Sequence, residues 1–195
     1  MAETEHWLAP PVKASLGEIM VGTLGPAGTS SEVAARIVCV KMGQSVEPTG
    51  RIKLYGTYEE AAESLRQHQV SQIVVANAYA AINEFYMDTR MSLATAFVMD
   101  TPKYGVARRR GQEISRRPKI ATHPAPRPLL SQLLPRYVTD SEVLQVNSTS
   151  AAAKAVYEET VDLALTTATA AESYGLEFIS PTRTIRMLWS VFVRS

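Results

Sequence analysis

Short runs of consecutive apolar residues recur along the chain, and between them lie stretches whose polar and apolar positions repeat with a helical period. Residues 21–24 read as a strand, broken off by Gly25, Pro26 and Gly28, and the apolar positions Val33, Ala34, Ala35 and Ile37 then mark a helix. Lys53-Leu54-Tyr55 is a short strand, and residues 57–69 form a helix with a narrow apolar face of Ala61, Ala62 and Leu65. Ile73-Val74-Val75-Ala76 is a buried strand. The order β-α-β-α-β predicts a parallel sheet with helices packed on it. Residues 77–90 are polar and aromatic and read as a loop with a short helix. Residues 93–100 and 104–110 follow as strands.

Residues 111–118 form a charged break, and a second unit begins at Lys119. KIAT is a strand, HPAPRP a proline-rich turn and LLSQLL a short helix. Strands at 142–146 and 162–167 flank a helix at 147–159. A further helix ends at Gly175, and LEFI and MLWSVFV close the chain as strands. The fold class is α/β.

Helix starts carry the candidate chemistry. Thr29 and Glu32 stand at capping-box spacing, as do Thr57 and Glu60. A helix start offers unpaired N–H groups and the positive end of the dipole, so the hydroxyl-rich start at Thr29, Ser30 and Ser31 can cup an anion. The device recurs at Asn147, Ser148, Thr149 and Ser150, again before an alanine-rich helix. Two cups in two lobes fit a ligand with two negative ends. Two unrelated capped helices fit the same pattern.

Composition adds limits. The 195 residues are 46% apolar and carry 20 basic against 19 acidic groups, a balance that implies no polyanion partner. The basic cluster Arg108, Arg109, Arg110, Arg116 and Arg117 is expected to be a solvated hairpin. The single cysteine, Cys39, excludes an internal disulfide framework, suits a reducing cytosol and is expected to be a packed thiol. His6, His68 and His123 are scattered; no metal-ligand spacing, GxGxxG or P-loop occurs, so neither metal nor organic cofactor is expected. Residues 1–19 lack a signal-peptide pattern and read as an extended leader able to pack through Trp7 and Leu8; no run is long enough for a membrane span.

The motifs LGPAGTSSEVAA, IVVANAYAAI, ATHPA (121–125), NSTSAAA (147–153) and AESYGLEFI, in this order, resemble the catalytic domain of prephenate dehydratase. The departures are informative. Where dehydratases carry Pro-Ile-Glu-Asn, this chain has Ala76, Asn77, Ala78 and Tyr79. Where they carry Ser-His-Pro-Gln, it has Thr122, His123, Pro124 and Ala125. Where they carry Thr-Arg-Phe, it has Ser190, Val191 and Phe192. DTPKYG (100–105), VNSTSAAA (146–153) and MLWSVF (187–192) are more similar to the non-aromatising prephenate decarboxylases of bacilysin-type pathways.

The resemblance implies a two-lobed fold, related to type II periplasmic binding proteins, with an active site in the inter-lobe cleft. Residues 20–98 plus 184–195 would form one lobe and 99–183 the other, with no regulatory domain after Ser195. It implies prephenate as the substrate, no cofactor, no nucleic acid or membrane, a cytoplasmic homodimer and a role in antibiotic or peptide biosynthesis. Decarboxylation without aromatisation must protonate a ring alkene carbon and spare the ring hydroxyl. Candidates for that proton are Tyr79, Tyr104, His123 or a held water. Ser190 stands in the place of the dehydratase threonine. Val191, replacing a carboxylate-gripping arginine, would supply an apolar wall or belong to the core. The two helix starts would bind substrate.

Overall fold

The computed structural model describes residues 6–7, 19–42 and 51–195. It divides into two compact units, Met1–Thr101 with Arg186–Ser195, and Pro102–Ile185.

The first unit is built on β1 (His6–Trp7), β2 (Val21–Leu24), β3 (Ile52–Tyr55), β4 (Gln72–Ala76), β5 (Met91–Asp100) and the closing strand β11 (Arg186–Arg194), in sheet order β1-β5-β11-β4-β2-β3. Strands β2, β3 and β4 are parallel, linked through α1 (Ser30–Lys41) and α2 (Tyr58–Arg66). The sheet is mixed, because β11 lies antiparallel between β4 and β5. An apolar run reads alike in either direction, so the sequence pattern alone could not reveal this reversal. The leader contributes β1, whose His6 and Trp7 pair with Val98 and Phe97, and the buried Ile19; its remaining residues, Leu8 among them, lie outside the described part.

Neighbouring residues of β11 serve opposite faces of the sheet. Trp189 and Val191 pack with Val21, Ala34, Val38, Cys39, Val74 and Phe97 beneath α1. Phe192 packs instead with Tyr58, Leu65, Ile73 and Phe85, on the side of α2 and α3 (Ile82–Met87). Cys39 is the packed thiol expected, and burial pushes its pKa up to about 11 against the opposing pull of Arg51.

The second unit has β6 (Tyr104–Arg109), β7 (Lys119–Thr122), β8 (Glu142–Gln145), β9 (Leu163–Thr167) and β10 (Leu176–Phe178), in order β10-β6-β9-β7-β8. Here too three parallel strands meet an antiparallel one. Its helices are α4 (Leu130–Leu133), α5 (Thr149–Tyr157) and α6 (Ala168–Ser173). Gly175, at φ +65°, follows α6 in the left-handed conformation that glycine takes without penalty. By position, α5 matches α2, since each follows the outer parallel strand of its sheet. The counterpart of α1 is the proline-rich turn and α4.

The arginine cluster is not uniformly solvated. Arg108 pairs with Glu177 at 2.8 Å and also donates to the Gln112 carbonyl; Arg109 donates to the Val156 carbonyl at 2.9 Å. These two half-buried residues pin the turn to β10 and to the end of α5, whereas Arg110, Arg116 and Arg117 are exposed.

Candidate active site

The opening stretch forms its strand, turn and helix as the pattern predicts. Thr29 caps α1 by accepting from the Glu32 N–H at 3.3 Å, and the Glu32 carboxylate reaches back to the Gly28 N–H at 2.7 Å. Glu32 also pairs with Arg36 at 2.7 Å. A carboxylate of the chain itself therefore occupies the positive end of α1. Helix α2 repeats the arrangement: Thr57 accepts from Glu60 N–H, and Glu60 reaches back to the Gly56 N–H at 2.8 Å. The buried Ser31 hydroxyl is tied to the Tyr58 hydroxyl at 2.8 Å, and Ser30 is buried beside it. The Glu32 carboxylate thus already sits at the α1 start that carries the candidates Thr29, Ser30 and Ser31.

The α5 start differs electrostatically. Ser148 caps it, accepting from the Ala151 N–H at 2.9 Å, and its first turn holds no acidic residue. Ser148, Thr149 and Ser150 are buried and Asn147 is exposed. The Thr149 carbonyl takes the Thr166 hydroxyl at 2.7 Å. Of α1, α2 and α5, only α5 leaves its dipole uncompensated by a carboxylate of its own first turn.

The proton-donor candidates separate clearly. Tyr79 donates its hydroxyl to the Glu59 carboxylate, and its ring lies 4.9 Å from that of Tyr58 and 6.2 Å from that of Phe85, centre to centre. Burial and the Glu59 carboxylate push its pKa up to about 12, which makes it a reluctant acid. Tyr104 is buried among Val106, Ile120, Leu130, Leu163 and Leu165 and is a core residue of the second unit. His123 is half-buried, and desolvation lowers its pKa. Its Nδ1 accepts from the Ala125 N–H at 3.3 Å, which places the proton of the neutral ring on Nε2. It can donate a hydrogen bond from Nε2, but a neutral imidazole is a poor acid.

Ser190 is fully buried on β11 and lies within a polar cluster. Its hydroxyl donates to Asn77 Oδ1 at 2.9 Å and meets the Tyr86 hydroxyl at 2.6 Å; Asn77 Nδ2 donates to the Tyr86 oxygen at 3.4 Å. With the single Ser190 proton spent on Asn77, Tyr86 donates to Ser190 and the three groups close a ring of hydrogen bonds. Asn77 follows β4 directly, and its N–H is held by the Leu188 carbonyl at 3.0 Å. Tyr86 stands on α3 with its ring edge-on to Phe192 at 5.0 Å, yet is 40% exposed. Sequence reasoning misses Tyr86; the available signal was the polar, aromatic stretch 77–90 at the carboxyl end of a parallel strand, where open α/β sheets bind ligands.

Val191 faces away from this cluster, at 1% exposure within the core under α1. Consecutive strand residues point to opposite faces, so Ser190 and Val191 cannot line one site from one side of the sheet. The apolar-wall reading of Val191 gives way to the core reading.

The model of the prephenate dehydratase family matches residues 21–183. The chain belongs to the prephenate dehydratase family. Within this family it is similar to a prephenate decarboxylase of Planktothrix agardhii, 39% identical over 177 residues, covering 89% of this chain and 87% of that protein. It is 37% identical over 180 residues to a prephenate decarboxylase of Bacillus subtilis, covering 89% and 86%. Among solved structures, the prephenate dehydratase of Arthrobacter aurescens in complex with L-Phe superposes with a TM-score of 0.68 at 16% identity. That match covers 91% of this chain, which spans 61% of the length of the solved one. The α/β fold of the family is thereby shared.

Proposed function

We propose that this chain is a cofactor-independent, non-aromatising prephenate decarboxylase, a lyase that releases carbon dioxide from the ring of prephenate and protonates a ring alkene carbon. The observation that carries the reading is the 37–39% identity to prephenate decarboxylases over 89% of the chain. The buried Ser190 supports it. Its hydroxyl is enclosed by Asn77 and Tyr86 and is not presented as a free acid to a departing hydroxyl group. In this reading the enzyme serves natural-product biosynthesis as a cytoplasmic homodimer. Among the described residues no helix is long and apolar enough to cross a membrane.

For binding, we assign a substrate carboxylate to the α5 start, with Ser148 and Thr149 as ligands. Replacing Thr149 with alanine, which leaves the cap intact, is expected to raise KM for prephenate with a smaller change in kcat. Replacing Ser148 adds the loss of a helix cap, about 1 kcal/mol of stability. Steady-state kinetics with both variants unchanged from the parent would remove this helix start from the site. The function itself is tested by NMR identification of the product made from prephenate. A dihydro-hydroxyphenylpyruvate is expected; phenylpyruvate would assign a dehydratase. Prephenate that survives beyond its spontaneous decay would assign a binding module.

A further inference from the structure

Non-aromatising decarboxylation needs an acid at a defined place. The bond between the quaternary ring carbon and its carboxylate breaks, and the electron pair becomes a new ring double bond. The neighbouring double bond shifts in turn, and its far carbon takes a proton from the acid while carbon dioxide leaves. The acid is left as an anion and recovers its proton from water. Such a group must be fixed in direction, open to solvent on one side, and flanked by donors that stabilise its anion.

We propose that Tyr86 is the catalytic proton donor, with Ser190 and Asn77 as its positioning residues; this rests on the decarboxylase reading above. The Tyr86 ring is held against the buried Phe192, and its oxygen is fixed by the 2.6 Å contact to Ser190. Its exposed side leaves it open to substrate and water. The Ser190 hydroxyl can rotate from Asn77 Oδ1 to the Tyr86 oxygen, which turns the Tyr86 proton outward. After transfer, the phenolate is met by the Ser190 O–H and the Asn77 Nδ2–H, a pair of donors on the site of developing charge. Of the two tyrosines named as candidates above, Tyr79 is committed to Glu59 and Tyr104 is packed in a core.

The test uses the full chain with prephenate in deuterated water. The parent enzyme is expected to place deuterium on one face of one ring carbon. Tyr86→Phe keeps the ring packed on Phe192 and is expected to lower kcat by about 10²–10⁴-fold. Whatever product it still makes should carry deuterium on both faces, because water then delivers it. A Tyr86→Phe enzyme with unchanged kcat and a single labelled face overturns the proposal. Incorporating 3,5-difluorotyrosine at position 86, a more acidic phenol, should move the alkaline limb of kcat to lower pH, and Ser190→Ala, which removes a donor to the phenolate, should move it to higher pH. A limb that stays in place with difluorotyrosine also overturns it, and this decides the matter if Tyr86→Phe does not fold. If the parent enzyme yields phenylpyruvate or no product, the decarboxylase reading falls and the proposal with it. If the parent decarboxylates while the substitutions change nothing, the proposal alone falls.

Discussion

Replacing Trp189 with alanine is expected to lower stability by about 3–5 kcal/mol, the usual cost of emptying a large aromatic site. Trp189 is 1% exposed and sits where β11 pairs with Ala76 of β4 and Phe97 of β5. It packs in the core beneath α1 with Val74, Phe97 and Met99. For a chain of this length the thermal midpoint should fall by about 6–20 °C. Trp189→Phe should behave differently. Among the described residues the buried indole N–H has no acceptor, and a buried unpaired donor costs about 1–3 kcal/mol. Phenylalanine removes that donor while keeping most of the ring, so its net cost should stay within about 1–2 kcal/mol. Calorimetry on both variants checks the pair. A loss for phenylalanine well above about 2 kcal/mol would mean that the indole N–H is satisfied in solution.

The second large effect is expected in the other unit, at Gly105. A Cβ there would lie 2.7 Å from Phe178 Cδ1 and 2.9 Å from Cε1, inside van der Waals contact. The closeness follows from the sheet: β6 and β10 are antiparallel neighbours with Phe178 opposite Ala107, and the ring lies over the glycine. Gly105→Ala is expected to cost about 1–3 kcal/mol by overpacking. Removing the ring as well, in Gly105→Ala with Phe178→Leu, should cost less than the sum of the two single changes, because the clash is shared. Denaturant unfolding of the four proteins of that cycle measures the coupling. Strict additivity would show that the ring simply swings aside.

The glycine of DTPKYG is thus a packing residue, which its place in a family motif could not reveal. Much else in the fold could be read from the sequence. Strand and helix positions followed from apolar runs and caps, because Thr29, Thr57 and Ser148 do cap their helices. Strand direction did not follow, since nothing in MLWSVFV says that β11 runs against β4 and β5. The candidate site was legible only in part. Ser190 could be picked out from the motif at 187–192, but its partners lie 104 and 113 residues away, and no local pattern links them. The two hydroxyl-rich helix starts looked equivalent in sequence. They differ because Glu32 turns back onto α1, whereas the first turn of α5 has no acid to do so.

Loss of the ring carboxylate of prephenate without aromatisation can be seen by NMR of the product formed in deuterated water. The expected product has a ring that keeps its hydroxyl-bearing carbon and gains a single deuterium at a former alkene carbon. Phenylpyruvate, with an aromatic ring and no deuterium on it, would instead assign a dehydratase.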